Sequence, residues 1–148
     1  MPIGYTFGVI GGDKRMQYLA SSIAADGYPV YVTGLEKLGE CRGAASVSLA
    51  ELTARSTVIV LPLPAARDGK TLNAPYSEKT ILLDDAFIEC LHNKTVYGGM
   101  LQNVVTGSAK WQQVGPEDYY RREELTVGNA ILTAEGALLV AIREFPEI

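Results

Sequence analysis

The stretch YTFGVIGGDKRMQYLASSIAADGYPVYVTG, residues 5–34, has the pattern of a strand, a helix and a second strand. Residues 5–10 are mostly apolar and end at two glycines, as a buried strand does where it meets a tight turn. In Lys14–Ala25 the apolar residues recur at helical spacing, and Asp13 can cap that helix. Residues 28–34 predict another strand, so the stretch is expected to form one βαβ unit.

The rest of the chain continues this alternation of strands and helices. Residues 44–52 predict a short strand that leads into a helical turn capped by Ser48. Asp84 or Asp85 can cap a later helix. Further strands are expected at residues 58–61, 94–99 and 118–120, and further helices at residues 84–92, 101–112 and 133–145. The alternation predicts one α/β domain over residues 1–148, doubly wound, with a mainly parallel sheet and helices on both faces, as in Rossmann-like or flavodoxin-like three-layer folds.

The composition is that of an ordinary globular domain. Hydrophobic residues make up 47% of the chain and charged residues 20%, so disorder is not expected. The net charge of -4 disfavours a general nucleic-acid or anionic-membrane surface, because both of these partners are polyanions. No signal-peptide pattern opens the sequence and no apolar run reaches membrane-spanning length, so we expect a cytoplasmic protein.

The cysteine and histidine content limits the possible chemistry. Cys41 and Cys90 are far apart in the sequence and belong to no CxxC or Cys/His cluster, which favours two free thiols in a reducing compartment. His92 is the only histidine, so a multi-histidine metal site cannot form, and a capping role near a helix end is expected for it. We therefore predict no metal site and assign no catalytic residue.

The loop after residues 58–61 is longer than a connection between a strand and a helix needs. Its sequence, PLPAARDGKTLNAPYS at residues 62–77, combines prolines with two cations and neutral hydrogen-bond donors. An arginine can bind a carboxylate through two hydrogen bonds, and a lysine adds a point charge. The candidate substrate-binding residues of this loop are Arg67, Lys70, Asn73 and Ser77. The alternative is a solvated turn whose shape comes from Asp68-Gly69.

Three predicted strands end in unusual residues, namely Gly11-Gly12-Asp13, the loop at residues 62–73 and Gly98-Gly99. Ligands of open α/β sheets bind beyond the carboxyl ends of the strands. If these three segments line one edge of the sheet, they form one site.

The segment GVIGGDKR, residues 8–15, does not fit the dinucleotide-binding fingerprint GxGxxG. Asp13 stands at the predicted helix start, where an acid competes with a bound phosphate. We therefore expect a structural turn with a helix cap and no cofactor in this domain. A CoA-binding or nucleotide-binding Rossmann relative is the alternative, and it rests on this turn alone.

The segment NAILTAEGALLVAIREF, residues 129–145, predicts a helix whose apolar surface must pack against another part of the protein or a partner. Thr133 and Glu135 suit a helix N-terminus, and both are also candidate substrate-binding residues. Residues 137–142 are all apolar and cover most of the helix circumference, whereas a surface helix carries a polar stripe. We expect a second copy, hence a homo-oligomer, or a further domain to pack there.

Three segments of the chain resemble the N-terminal domain family of the dipicolinate synthase A subunit. They are residues 129–145, VIGGDKR at residues 9–15 and VLPLPAARDGKTLNAPYS at residues 60–77. The resemblance implies the first half of a two-domain oxidoreductase that makes dipicolinate from a dihydrodipicolinate-pathway intermediate during sporulation. It also implies that the NAD(P)-binding loop belongs to a C-terminal domain beyond residues 1–148.

The same resemblance implies a dicarboxylate substrate, the B subunit of dipicolinate synthase as a partner, and an NAD(P)-dependent enzyme of which this fragment alone is inactive. A dicarboxylate needs cations and amide donors, which Arg67, Lys70 and Asn73 can supply. The alternative from another class is a standalone α/β regulatory or small-acid-binding module without catalysis. A reading frame that continues into a strand, a GxGxxG loop and a helix would favour the enzyme.

Overall fold

The fold is built around a six-stranded sheet in which all strands run parallel. The computed structural model describes residues 5–118. Its strands are β1 Phe7–Ile10, β2 Val30–Thr33, β3 Ala45–Ser46, β4 Val58–Val60, β5 Thr95–Gly98 and β6 Glu117–Asp118. The strand order is β3-β2-β1-β4-β5-β6, with Phe7 of β1 paired to Val30 on one side and to Val58 on the other. The direction of the strand order reverses between β1 and β4, which is where such sheets leave a crevice for a ligand.

Helices connect the strands, and the starts of the first three helices agree with the sequence prediction. The helices are α1 Lys14–Ala25, α2 Leu49–Arg55, α3 Asp85–Cys90, α4 Gln102–Val105 and α5 Trp111–Val114, with a 3-10 turn at Glu36–Leu38. The side chains of Asp13, Ser48 and Asp84 accept hydrogen bonds from the backbone amides at the starts of α1, α2 and α3. The predicted caps of these three helices are confirmed, with Asp84 rather than Asp85 as the cap of α3.

The sheet has a hydrophobic core on each face. One core joins Val9 of β1 to the buried stripe of α1, which includes Leu19 and Ile23. The other joins Ile10 to residues of the remaining helices, among them Phe87 of α3 and the fully buried Trp111 of α5. Because neighbouring residues of a strand point to opposite faces, β1 contributes to both cores. The predicted doubly wound α/β fold with helices on both faces is confirmed.

Gly8 brings helix α2 into direct contact with the central strand. A Cβ atom at Gly8 would lie 2.4 Å from Leu52 Cδ2 and 2.6 Å from Ser56 Oγ. A side chain at this position would therefore push α2 away from the sheet. The glycine explains why a short helix is packed so closely on the second core.

The predicted helix at residues 101–112 is wrong, because the structure has two short helices there. The Thr106 hydroxyl donates to the carbonyls of Gln102 and Asn103, and α4 ends at Val105. Gly107 then allows a turn, and the Ser108 hydroxyl accepts a hydrogen bond from the Lys110 amide at the start of α5. Local side-chain hydrogen bonds of this kind compete with a continuous helix.

The remaining strand predictions for the described region are confirmed with small shifts. The first strand begins at Phe7, and Glu117–Asp118 pairs with β5 close to the expected place. Cys41 is buried and Cys90 is exposed, and both are free thiols. Burial raises the pKa of the Cys41 thiol. The predicted helix at residues 133–145 lies outside the described residues.

Within residues 5–118, none of the helices is both long enough and apolar enough to cross a bilayer. In the same part of the chain, His, Cys, Asp and Glu side chains form no group of three or more that could hold a metal ion.

The two serines at the ends of α2 should respond to alanine in opposite directions. Ser48 caps the helix, so Ser48→Ala should lower the free energy of unfolding by about 1 kcal/mol. The Ser56 hydroxyl is buried without a hydrogen-bond partner among the described residues, so Ser56→Ala should raise that free energy by about 1 kcal/mol. Urea unfolding of both variants is the measurement. A loss of stability for Ser56→Ala equal to that for Ser48→Ala would contradict this packing of α2.

Candidate functional site

The loop between β4 and α3 is bonded to the ends of two other strands. The Gly12 amide, in the turn after β1, donates to the Asn73 carbonyl at 2.8 Å. Beyond β5, the Gly99 amide donates to the Pro62 carbonyl at 3.1 Å, and the Gly99 carbonyl accepts from the Ala65 amide at 2.8 Å. The three segments that end in unusual residues therefore lie together at the carboxyl edge of the sheet, which is the condition that the sequence analysis set for a single site.

A third attachment joins the loop to the end of β2 through the carboxylate of Glu36. This carboxylate accepts hydrogen bonds from the amide of Gly34 at 2.6 Å and from the amide of Glu78 at 3.1 Å. The Lys37 amide also donates to the Tyr76 carbonyl at 2.8 Å. Glu36 thus fastens residues 76–78 over the end of β2, a role that the sequence did not reveal because the partners are about 40 residues apart.

The tip of the loop is a closed turn at Asp68-Gly69. The Asp68 carboxylate accepts from the amides of Lys70 and Thr71 at 2.9 and 2.7 Å. These hydrogen bonds, with the one from Thr71 the stronger cause, hold the pKa of Asp68 below its usual 3.8. The carboxylate therefore stabilises the turn above the unfolded-state pKa and loses this effect as the pH falls through the lower folded-state pKa. A turn shaped by Asp68-Gly69 is the alternative to a binding loop that the sequence leaves open, and the structure has that turn at Asp68.

The Gly11-Gly12 turn is covered by the same loop. A Cβ atom at Gly11 would lie 2.8 Å from Leu72 Cδ2 and 3.1 Å from the Asn73 carbonyl oxygen. In dinucleotide-binding domains the pyrophosphate approaches the backbone at this turn. Here the Gly12 amide already donates to Asn73, so the nucleotide-binding alternative lacks the open turn that it needs.

Asp13 adds negative charge beside that turn. Burial raises the pKa of its carboxyl, but the hydrogen bonds and the charge of Arg15 lower it by more, so the pKa lies below the usual value. The Arg15 guanidinium contacts Asp13 Oδ1 at 3.2 Å and donates to the Leu63 carbonyl at 3.2 Å. The ionised Asp13 therefore disfavours a phosphate, and Arg15 ties α1 to the start of the loop.

Arg67 lies at an open cavity of about 860 Å³ beyond β5 and β6, which we call the Arg67 cavity. Its other lining residues are Pro64, Ala66, Met100, Gln102, Asn103, Thr106 and Asp118. Arg67 is exposed and is the cation among these residues. A guanidinium and two side-chain amides are donors suited to a carboxylate, because a carboxylate only accepts hydrogen bonds.

The Gln102 and Asn103 side chains were missed in the sequence prediction. Their signal is their position directly after the Gly98-Gly99 end of β5, at the edge where ligands of α/β sheets bind. This signal was overlooked because residues 101–112 were predicted to form one long helix. In such a helix, nothing in the sequence distinguishes the residues of the first turn as binding residues.

The other predicted site residues lie in different places. Lys70 is exposed at the tip of the loop and is not among the residues that line the Arg67 cavity. The Asn73 side-chain amide donates to the Pro64 carbonyl at 3.0 Å, which ties the two ends of the loop together. Ser77 lines a second cavity of about 660 Å³, beside Ser48 and Phe87, and its hydroxyl donates to the Lys79 carbonyl.

The structure therefore brings Arg67 to the cavity wall, leaves Lys70 nearby in solvent, and does not bring Ser77 into the same cavity. Thr133 and Glu135 lie outside the described residues. A binding role for each of these residues stays a prediction.

Comparisons with known proteins agree on one family. Residues 6–119 match the model of the family described as the N-terminal domain of the dipicolinate synthase A subunit. The A subunit of dipicolinate synthase from Bacillus subtilis (strain 168) is 23% identical over an aligned length of 150 residues, and the alignment covers 97% of this chain and 49% of that protein. The chain thus spans about half the length of the curated relative that it matches.

Two solved structures have the same fold. The crystal structure of the dipicolinate synthase A chain from Bacillus subtilis has a TM-score of 0.68 at 21% identity, over 97% of this chain and 49% of that one. The crystal structure of the corresponding A subunit from Bacillus halodurans also has a TM-score of 0.68, at 20% identity, over 94% of this chain and 48% of that one. At these identities the likeness shows the fold alone.

Packing of the loop tip against α4 can be tested with two matched glycines. Gly69 and Gly115 have positive φ angles of 78° and 61°, and alanine in the left-handed region costs about 1–2 kcal/mol of backbone strain. At Gly69 the new Cβ would also lie 2.9 Å from the Asn103 carbonyl oxygen, whereas at Gly115 nothing lies within 4 Å. Gly69→Ala should therefore lower the free energy of unfolding by about 1 kcal/mol more than Gly115→Ala in urea unfolding. Equal losses would mean that the tip is not packed against α4.

The covered Gly11-Gly12 turn predicts weak binding of nicotinamide dinucleotides by this chain. Because the Gly12 amide donates to Asn73 and Asp13 is ionised, calorimetric titration with NADH and with NADPH should show no binding in the low micromolar range. Low micromolar affinity for either dinucleotide would show that the loop leaves the turn and would contradict the prediction.

Proposed function

Because the chain belongs to the N-terminal domain family of the dipicolinate synthase A subunit, we propose that it is the substrate-side domain of an oxidoreductase that makes dipicolinate. The reaction that we propose oxidises a dihydrodipicolinate-pathway intermediate during sporulation. The relatives are about twice as long as this chain, and we assign the NAD(P) cofactor to their other half. The B subunit of dipicolinate synthase and a second copy of the chain are the proposed protein partners.

The observation that carries the proposal is the position of Arg67 on a fixed loop at the carboxyl edge of the sheet. The residue precedes the Asp68 turn and follows Ala66, which forms an isolated antiparallel bridge with Leu72. Its backbone is therefore held before a ligand arrives, so little backbone ordering entropy is lost on binding. The Arg67 guanidinium can bind one substrate carboxylate through two parallel hydrogen bonds.

The neutral donors of α4 complete the proposed carboxylate site. Gln102 and Asn103 are exposed at the cavity and can donate amide hydrogen bonds to a carboxylate that Arg67 holds. Asp118 also lines the cavity, and its negative charge disfavours a second carboxylate beside the first. The second carboxylate of the substrate is therefore proposed to face outward, toward Lys70 at the loop tip.

The sequence suggested Asn73 as a substrate-binding residue, whereas in this proposal it has a structural role in the loop. Its side-chain amide donates to Pro64 and its carbonyl accepts from Gly12, so the residue fixes the loop between the first and fourth strands. We propose that Asn73 holds the loop that carries Arg67.

The proposal predicts a substrate-binding defect when the Arg67 guanidinium is removed. Truncating one partner of a desolvated charged hydrogen bond costs about 2–5 kcal/mol, and about 1.4 kcal/mol corresponds to a factor of ten. In a full-length synthase polypeptide that carries this chain as its N-terminal half, Arg67→Ala should raise KM for the substrate at least about tenfold. Arg67→Lys should recover only part of the loss, because a point charge cannot replace a bidentate contact.

Arg42→Ala is the matched control for the loss of one exposed arginine. Arg42 is exposed and lies outside the residues that line the Arg67 cavity, so its removal should leave KM within about twofold of the unmodified value. The measurement is steady-state kinetics of Arg67→Ala, Arg67→Lys and Arg42→Ala, which shows whether the KM effect is specific to Arg67. If Arg67→Ala leaves KM and kcat unchanged, Arg67 is a surface cation and the carboxylate site lies elsewhere. A full-length polypeptide that binds the dicarboxylate but transfers no hydride would favour the non-catalytic acid-binding module.

A further inference from the structure

Met100 has a backbone conformation that is unusual for its residue type. Its φ angle is 55°, in the left-handed region that favours glycine, and it directly follows Gly98-Gly99 at the end of β5. A non-glycine residue keeps such a conformation only when its surroundings hold it there. Its side chain is 49% exposed and lines the Arg67 cavity. The conformation of Met100 therefore shapes part of the cavity wall.

Asp118 of β6 holds this backbone from one side. Its Oδ1 atom accepts a hydrogen bond from the Met100 amide at 3.2 Å, and its Oδ2 atom accepts from the Leu101 amide at 3.0 Å. One carboxylate thus binds two consecutive amides at the bend between β5 and α4. An aspartate 17 or 18 residues away in the sequence fixes the residue that begins the bend.

The loop after β4 holds the same backbone from the other side. Gly99 exchanges hydrogen bonds with Pro62 and Ala65, and a Cβ atom at Gly99 would lie 2.3 Å from Leu63 Cδ1. The chain at Gly99 therefore cannot move toward the loop. If the hydrogen bonds to Asp118 were lost, Met100 could relax away from its positive φ angle. This change in the backbone would reorient the first residues of α4.

We propose that Asp118 is a positioning residue for the carboxylate site. It holds Met100 in the left-handed conformation, and through it orients Gln102 and Asn103 toward a carboxylate bound by Arg67. This inference rests on the proposed function for the identity of the ligand. The coupling between Asp118 and Met100 rests on the hydrogen bonds alone, so the two can be tested separately.

The competing explanation is that Asp118 only caps the short helix α4. A cap contributes to stability whatever residue stands at position 100. Hydrogen bonds that hold a residue in the left-handed conformation are no longer needed when that residue is glycine, because glycine adopts positive φ without steric cost. The dependence on position 100 therefore distinguishes positioning from capping.

The experiment is a double-mutant cycle in the 148-residue chain with Asp118→Asn, Met100→Gly and the double variant. Asparagine keeps the shape of the side chain but cannot accept from both amides. Each protein is titrated with pyridine-2,6-dicarboxylate, followed by amide chemical shifts in two-dimensional NMR, and each is unfolded in urea. Glu40→Gln is the matched control for the loss of one exposed carboxylate.

We expect Asp118→Asn to weaken dicarboxylate binding at least about tenfold. Met100→Gly removes a side chain from the cavity wall, so its own affinity is the reference for the double variant. In the Met100→Gly background, Asp118→Asn should weaken binding less than about threefold, and its effect on the urea midpoint should shrink as well. Glu40→Gln should bind the ligand like the unmodified chain.

Two outcomes overturn the inference. One is an Asp118→Asn variant that binds the dicarboxylate like the unmodified chain. The other is an equal loss from Asp118→Asn with Met100 and with glycine at position 100, which is the behaviour of a plain cap. If the unmodified chain binds no dicarboxylate, the proposed function fails, and the urea cycle alone then decides whether Asp118 holds Met100.

Discussion

The hydrogen bond from the Gly12 amide to the Asn73 carbonyl is the contact on which the rest of this sheet edge depends. It lies at the point where the strand order reverses, and it places residues 72–74 where a dinucleotide phosphate would otherwise approach the turn. With the crevice between β1 and β4 filled, the open space at the carboxyl edge lies to either side. Arg67 lies on the side beyond β5 and β6, in the Arg67 cavity.

The loop serves two purposes through the same contacts. Hydrogen bonds to Gly12, Glu36 and Gly99 fasten it to the ends of three strands, so the position of Arg67 is determined by the sheet. Its contacts with Gly99 also limit where the chain after β5 can run, and Asp118 limits it from the other side. In the carboxylate site that we propose, the backbone is held before a ligand binds, which lowers the ordering cost of binding.

Much of the fold could be predicted because its signals are local. Apolar runs of four residues, helical periodicity in Lys14–Ala25 and the caps Asp13, Ser48 and Asp84 each depend on neighbours a few residues away. The candidate site was predictable in part for the same reason, since Arg67 stands on a conspicuous loop after a buried strand. Prolines and glycines marked where the chain changes direction.

The remaining features depend on partners far apart in the sequence. Glu36 binds the loop about 40 residues later, and Asp118 binds amides 17 and 18 residues earlier, so neither pattern shows in a sequence window. Asn73 and Ser77 have side chains suited to a ligand, yet both donate to backbone carbonyls of the same β4–α3 loop. Residue type indicates what a side chain can bond, while the fold decides which partner it meets.

A crystal structure of the chain with pyridine-2,6-dicarboxylate tests the central claim most directly. We predict one ligand carboxylate within hydrogen-bond distance of both terminal nitrogens of Arg67, with the Gly12 amide still bonded to Asn73. A ligand in the cavity beside Ser48, Ser77 and Phe87, or one at Gly11-Gly12 with the loop displaced, would contradict the assignment of the carboxylate site to Arg67.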